Sequence, residues 1–314
     1  MSKVTDYIII LCGVFGDSYT PLTRSGFWKL YHKCGDSVEA MIDSGDEKVE
    51  ELLKRSGSIS FSKEKLDQMG IRMVSFLDDD YPKVIYDKLK DFAPPLLYMC
   101  GDASVKDGKF AGYVGSRSIG EEDILWTEKM VHKNLRSGFS IVTGGAKGID
   151  SVAMNYALEN DGKVVVFLPD NITTKINEPY YRNHIMNGNL LVYSHLSPFE
   201  KKGRNTFVAA AMERNKFIYA QAAATAVVKS DLQKGGTWSG AVECMKHNWG
   251  RVFAWDNKAY PGNQELIRLG ARSLDDKGEH VDSEADIKAV AVAKLAEDKN
   301  EYVQMSLMDM LNNN

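Results

Sequence analysis

Between Lys109 and Asp256 the chain alternates short apolar runs with longer amphipathic ones, a pattern that few folds accept. KFAGYVGS, FSIVTGG, KVVVFLPD, NLLVYSH, TAVVKS and RVFAWD read as strands. The stretches between them, EDILWTEKMVHKNLRSG, IDSVAMNYALENDG, EPYYRNHIMNG, FVAAAMERNKFIYAQA and GTWSGAVECMKHNWG, read as helices. Strands separated by single helices join as right-handed βαβ units into a parallel sheet covered on both faces. The expected class is therefore α/β, with a doubly wound, mostly parallel sheet.

Residues 1–70 read differently. SGFWKLYHKCG, SVEAMIDSG and DEKVEELLKRSG are short helical periods, each closed by a glycine, and Ser62 opens a further helix that stops at Gly70. They predict a small helical domain over 1–70, followed by the α/β domain over 71–272. Ile71 to Phe76 reads as a short strand, after which Pro82 and Pro94-Pro95 punctuate an ordered connector. From Asp275 onward ten acidic residues stand against four lysines, so an acidic, partly helical tail is expected over 273–314. The net charge of −4 hides this asymmetry, because residues 1–274 carry +2 and the remainder −6. Any nucleic-acid site must be a local patch. Cys12, Cys34, Cys100 and Cys244 form no CxxC pair, which points away from zinc and disulfides and toward a reduced, cytoplasmic protein. The apolar stretch near the N-terminus is too short to span a membrane.

Ligands of open parallel sheets bind outside the carboxyl ends of the strands. Four glycine-bearing loops fall there: 115–120 after GYV, 143–150 after IV, 234–240 after AVV, and 261–263 after VFAW. Glycine lets the backbone approach a phosphate, and N–H groups at the next helix start point at the anion. For any one loop the plain alternative is a tight βα turn, but four on one edge predict an anion groove. GSRSIG carries Arg117 where a dinucleotide fingerprint needs glycine, and GxxxxGK[ST] is absent, so NAD binding and P-loop ATP hydrolysis are disfavoured. Arg117 and Lys147 instead place cations beside exposed backbone N–H groups. Further on, Lys201, Lys202 and Arg204 precede Phe207, and Arg214, Asn215 and Lys216 follow. Cations near an aromatic suit single-stranded nucleic acid, although a solvated loop and a core phenylalanine account for them equally well. His184, His195 and His247 follow no nucleophile elbow.

GSR at 115–117, GGAKGID at 144–150, Arg214-Asn215-Lys216, GGTWSGA at 235–241 and GNQELI at 262–267 resemble, in order and spacing, the DNA processing protein A (DprA/Smf) family. GIRMVSFLDDDYPKVI and PPLLYMCGD are similar to that family's run into its extended Rossmann-like domain, of the SLOG superfamily. SGFWKLYHKCGDSVEAMI faintly resembles its sterile-alpha-motif-like helices. The resemblance implies a non-catalytic, cofactor-free homodimer that binds single-stranded DNA and hands it to a RecA-type recombinase, in recombination or natural transformation, with antiviral or mobile-element defence added as a setting by the chain's departures from the family pattern. It implies that Arg117, with Gly115 and Ser116, holds a phosphate, as does Lys202 or Arg204, and that Phe207 stacks on a base. Gly144, Gly145 and Gly148 would admit the strand to backbone amides beside Lys147. Arg214, Asn215 and Lys216 would line or brace the pocket, and Gly235, Gly236 and Thr237 would complete its rim. The chain departs from the family where TFVAAAMERN replaces a phenylalanine-proline and double-arginine pattern, where Lys216 replaces an arginine, and where Thr237-Trp238 replaces serine-leucine.

Two other functions compete. GGTWSGAVE at 235–243 resembles, one residue out of step, the PGGxGTxxE loop of nucleotide phosphoribohydrolases, in which Glu243 would be the general acid/base. Alternatively the groove holds a small nucleotide as a sensor, and the tail, with Gln304 to Met308, engages a toxin or effector partner. Convergence of Arg117, Lys147, Lys202 and Arg214 on one pocket is what the DNA-binding reading requires.

Overall fold

The apolar runs assemble into one nine-stranded sheet in the computed structural model, which describes residues 3–199 and 204–279. The strands are β1 (Arg72–Ser75), β2 (Leu96–Cys100), β3 (Phe110–Val114), β4 (Ser140–Thr143), β5 (Val164–Leu168), β6 (Leu190–Ser194), β7 (Ala224–Val227), β8 (Arg251–Trp255) and β9 (Arg272–Leu274). Their order is β1-β2-β6-β5-β4-β3-β7-β8-β9. Every pairing from β6 across to β9 is parallel, and β1 and β2 add an antiparallel ribbon on β6. The stretch expected as a connector thus contains a strand, LLYMC, which Pro94-Pro95 precede rather than interrupt.

The chain steps outward from β3 through β4 and β5 to β6, then returns to lay β7 beside β3, pairing Ala111 with Ala224. Helices α7 (Glu121–Arg136) and α8 (Ile149–Glu159), then α9 (Ile172–Ile176) and α10 (Pro179–Met186), serve the outward steps. Helix α11 (Arg204–Gln221) makes the return, and α12 (Gly235–His247) and α13 (Pro261–Arg268) serve the steps the other way. Right-handed crossovers running in opposite directions put their helices on opposite faces. That double cover explains why β3, β5 and β6 are buried at every residue, each large aliphatic side chain contributing roughly 1.5–3 kcal/mol.

The N-terminal helices are α1 (Lys3–Cys12), α2 (Arg24–Lys33), α3 (Val38–Ile42), α4 (Glu47–Leu53) and α5 (Ser56–Gln68), with α6 (Lys83–Leu89) leading into β2. Gly57 does not stop a helix as expected; α5 runs through it, begun by Arg55, whose buried side chain donates to Ile10 O at 2.9 Å and Gly13 O at 2.7 Å. Trp28 of α2 packs on Phe76 with ring centroids 4.8 Å apart and donates to Ala93 O at 2.8 Å, so the helices share one core with the sheet. The tail begins as β9 and a turn docked on α7, where Trp126 Nε1 donates to Asp275 O and Trp255 Nε1 to Asp276 Oδ1. Its expected alanine-rich helix and Gln304 to Met308 lie outside the described residues, as do Lys201 and Lys202. Among the described residues no helix is long and apolar enough to cross a membrane.

Candidate nucleic-acid interface

Because β7 returns to β3, the loops leaving these two strands diverge around a crevice, the place where open α/β sheets take ligands. A cavity of about 870 Å³ lies there. Gly115 to Ser118 line it from the β3 loop, and Lys229, Asp231, Gln233 and Lys234 from the β7 loop. Gly235, Gly236 and Thr237 of the first turn of α12 form one rim, and Phe207, Arg214 and Asn215 of α11 form another. Ala146 and Asp150 enter from the β4 loop. Of the four cations whose convergence the DNA-binding reading required, Arg117 and Arg214 line this cavity, Lys147 does not, and Lys202 lies outside the described residues.

The two arginines do so in different roles. Arg214 is 3% exposed, and its Nη1 donates to Gly144 O and, at 2.8 Å, to Phe167 O. The guanidinium thus ties together the carboxyl ends of β4 and β5, with Nε left without a protein partner. Burial lowers its pKa, opposed by the charges of Asp150 and Asp170, while Arg117 lowers it further. Asp150 accepts from Gly144 N at 3.1 Å, and burial raises its carboxyl above the ordinary range despite the pull of Arg214. A Cβ on Gly144 would fall on the Arg214 guanidinium, and one on Gly148, whose φ is +93°, would strike Ser116 O. Neighbouring chain by itself demands glycine at both positions, and the Gly144 N–H is already spent on Asp150. Gly145 likewise faces Tyr181 and Val166. The fourth loop is equally occupied: Asn263 is fully buried and its amide donates to Val228 O at 2.9 Å and Trp255 O at 3.0 Å.

The Arg214-Asn215-Lys216 triplet separates for a geometric reason, since successive helical residues turn by about 100°. Asn215 Nδ2 donates to Gly236 O at 3.1 Å and steadies the α12 start. Lys216 lies outside the cavity lining; its Nζ pairs with Glu243 Oε1 at 2.5 Å and sits 4.9 Å from the Phe92 ring centroid and 5.4 Å from that of Trp249. The same pair removes Glu243 from the cavity, against the phosphoribohydrolase alternative. Lys147 is exposed on the β4 loop, and its neighbour Ala146 rather than Lys147 lines the cavity. Arg204 begins α11, but its side chain, like Lys202, lies outside the described residues.

Other groups leave charge and N–H donors open to the cavity. Arg117 and Lys234 are exposed and, among the described residues, have no carboxylate partner. Helix α12 starts without a side-chain cap among the described residues, which leaves its first N–H groups available to an anion. Phe207 is half-buried at the cavity wall. Lys229, missed at the sequence level, sits 5.0 Å from the Tyr260 ring centroid and bonds Asp123 Oδ2 at 3.1 Å, while its carbonyl accepts from Ser116 N at 2.9 Å. Burial pushes Asp123 up, but the Tyr260 hydroxyl, Gly120 N–H and Lys229 outweigh it and hold the carboxyl below its ordinary range. Lys229 and Lys234 were detectable, since both lie in the loop after the strand AVV, as Arg117 lies after GYV. Among the described residues no group of His, Cys, Asp and Glu could hold a metal ion.

Residues 72–284 match the family model described as DNA recombination-mediator protein A. Protein Smf of Synechocystis sp. is 29% identical over 165 residues, which span 50% of this chain and 39% of that protein. DNA processing protein DprA of Streptococcus pneumoniae is 30% identical over 165 residues, 51% of this chain and 55% of that protein. The chain thus spans about two fifths to just over half the length of these curated relatives. Among solved structures, DNA processing protein A from S. pneumoniae superposes with a TM-score of 0.67 at 23% identity, covering 92% of this chain and 98% of the other. DNA processing protein A from Helicobacter pylori, studied for its single-stranded DNA binding mode, gives 0.53 at 21% identity over 73% of this chain and 97% of its own. Likeness at such identities establishes the fold. The family match runs from β1 through β9, well over half of the sequence, and the chain belongs to the DNA recombination-mediator protein A family.

Proposed function

We propose that this chain binds single-stranded DNA, without chemical turnover, in the cavity at the carboxyl ends of β3 and β7, and that it acts as a cytoplasmic recombination mediator. The observation that carries this reading is the convergence of Arg117, Lys229, Lys234, the uncapped α12 start and Phe207 around one cavity of about 870 Å³. Arg117 and Lys234 would take phosphates, the α12 N–H groups a third, and Phe207 a base face, a contact of roughly 1–3 kcal/mol. Arg214, Asn215 and Asp150 also line the cavity, but their hydrogen bonds hold the loops in place before the strand arrives. Family membership supports the same reading, as does the single-stranded DNA binding of the H. pylori protein. Homodimer formation and delivery of the strand to a RecA-type recombinase complete the proposal.

Fluorescence anisotropy with a labelled oligonucleotide of about 16 nucleotides tests it. Arg117→Ala should weaken binding about tenfold, a loss of about 1.4 kcal/mol, whereas Lys216→Ala, outside the cavity, should leave it within about twofold. Equal binding of the oligonucleotide and of inorganic polyphosphate matched in charge, or indifference to Arg117→Ala, would defeat the reading.

A further inference from the structure

A second cavity, of about 660 Å³, opens on the opposite edge of the sheet, at the amino ends of β3 and β7. It shares no lining residue with the first and lies about 13 Å away along β3. Tyr81, Pro82, Val84 and Phe110 give it apolar walls, and Lys83, Lys88, Lys106 and Lys109 surround it. Lys106 is paired with Asp107 at 2.8 Å, and Asp79 also reaches the lining. The other three lysines have no carboxylate partner among the described residues: Lys88 Nζ donates to Ala222 O at 3.0 Å and Lys83 Nζ to Leu77 O at 3.2 Å. Burial lowers the pKa of Lys88, so its charged form is held there at a cost that a bound anion would relieve. Gln221, 6% exposed, spends its Nε2 on Lys106 O at 3.3 Å and leaves Oε1 buried with no partner. A buried acceptor without a donor costs about 1–3 kcal/mol.

The unmet groups are thus several ammoniums, one buried acceptor and an apolar wall within a space of small-ligand size. A phosphate answers the first, a ring N–H or amino group the second, and the ring itself the third. We propose that this cavity binds a nucleoside monophosphate, free or as the phosphorylated end of a strand, with its phosphate on Lys83, Lys88 and Lys109 and its base donor on Gln221 Oε1 once the amide turns from Lys106 O toward the cavity. The site goes beyond the DNA-binding reading and does not depend on it.

Isothermal titration calorimetry with guanosine monophosphate, adenosine monophosphate and inorganic phosphate on the full chain tests it. Saturable binding of a nucleotide is expected, weakened at least about tenfold by Lys109→Glu and unchanged by Arg117→Ala. Lys109 is exposed, so that variant should keep the parent melting temperature. Gln221→Leu should also weaken the nucleotide, but it breaks the bond to Lys106 and is the secondary variant. Absence of saturable heat up to about 5 mM, corresponding to about −3 kcal/mol, overturns the proposal. So does nucleotide binding that follows Arg117 rather than Lys109, or inorganic phosphate that binds as tightly as the nucleotides. Competition by a phosphorylated oligonucleotide, measured on the Arg117→Ala protein, identifies a strand end as the source, and lack of competition identifies the free nucleotide.

Discussion

Replacing Arg214 by methionine separates scaffold from ligand contact in the first cavity. The guanidinium is buried, donates to Gly144 O and Phe167 O, and faces the charge of Asp150. Methionine occupies a similar space with no donor. Two buried carbonyls then lose a partner, at about 1–3 kcal/mol each, and Asp150 loses the nearby positive charge that offsets its burial. These losses describe one network and do not simply add, so the expected destabilisation is about 2–5 kcal/mol, read by urea unfolding with an unchanged m-value. Its pH dependence provides an internal check. Asp150 already titrates above the ordinary carboxyl range, and removal of Arg214 lets it rise further. A group whose folded pKa is raised binds its proton more tightly in the native state, so stability is greatest below the unfolded pKa and falls as pH climbs through the folded one. Arg214→Met should therefore lose stability more steeply than the parent above about pH 4, and adding Asp150→Asn should flatten that slope. Destabilisation below about 1 kcal/mol, combined with a large loss of DNA affinity, would refute the scaffold role.

Three further outcomes follow from the same geometry. Gly148→Ala forces a side chain into a φ of +93° and onto Ser116 O, and should lower stability by at least about 2 kcal/mol; an unchanged thermal melt would show that the loops are not packed as described. Asp123→Asn removes a carboxyl whose folded pKa is depressed, so the stability it confers is present at neutral pH and lost as pH falls through that pKa. The variant should show a flatter acid limb and, by releasing Lys229, weaker DNA binding; an acid limb identical to the parent's would count against the Tyr260–Asp123–Lys229 arrangement. In a salt titration of single-stranded DNA binding, Arg117→Ala should reduce the log–log slope by about 0.7; an unaltered slope would mean that Arg117 meets no phosphate.

The parts of this protein that were legible from the sequence are those with a local physical signature. Apolar strand runs alternating with helical periods state the α/β class, and βα loops at strand ends locate the edge where a ligand can sit. Gly35 and Gly45 close α2 and α3 as expected, while Gly57 does not, because Arg55 buries its side chain against α1 and leaves the next helix to start immediately. Arg117 was identifiable as a cation in a βα loop and Phe207 as an aromatic near a helix start. Lys216 was not separable from Arg214, since adjacency in sequence becomes divergence of about 200° on a helix over two residues.

The sequence by itself determined the class of fold, the loops that carry glycine and cation, and the family to which they are similar. Only the tertiary structure decided which of those loops face one another. Strand order is set by long-range pairing, here Ala111 with Ala224, and no local pattern encodes a contact across that separation. That pairing brings Lys229 under the Arg117 loop, turns Arg214 into an internal tie, fills Gly144 and Gly148 with neighbouring chain, and leaves the α12 start open.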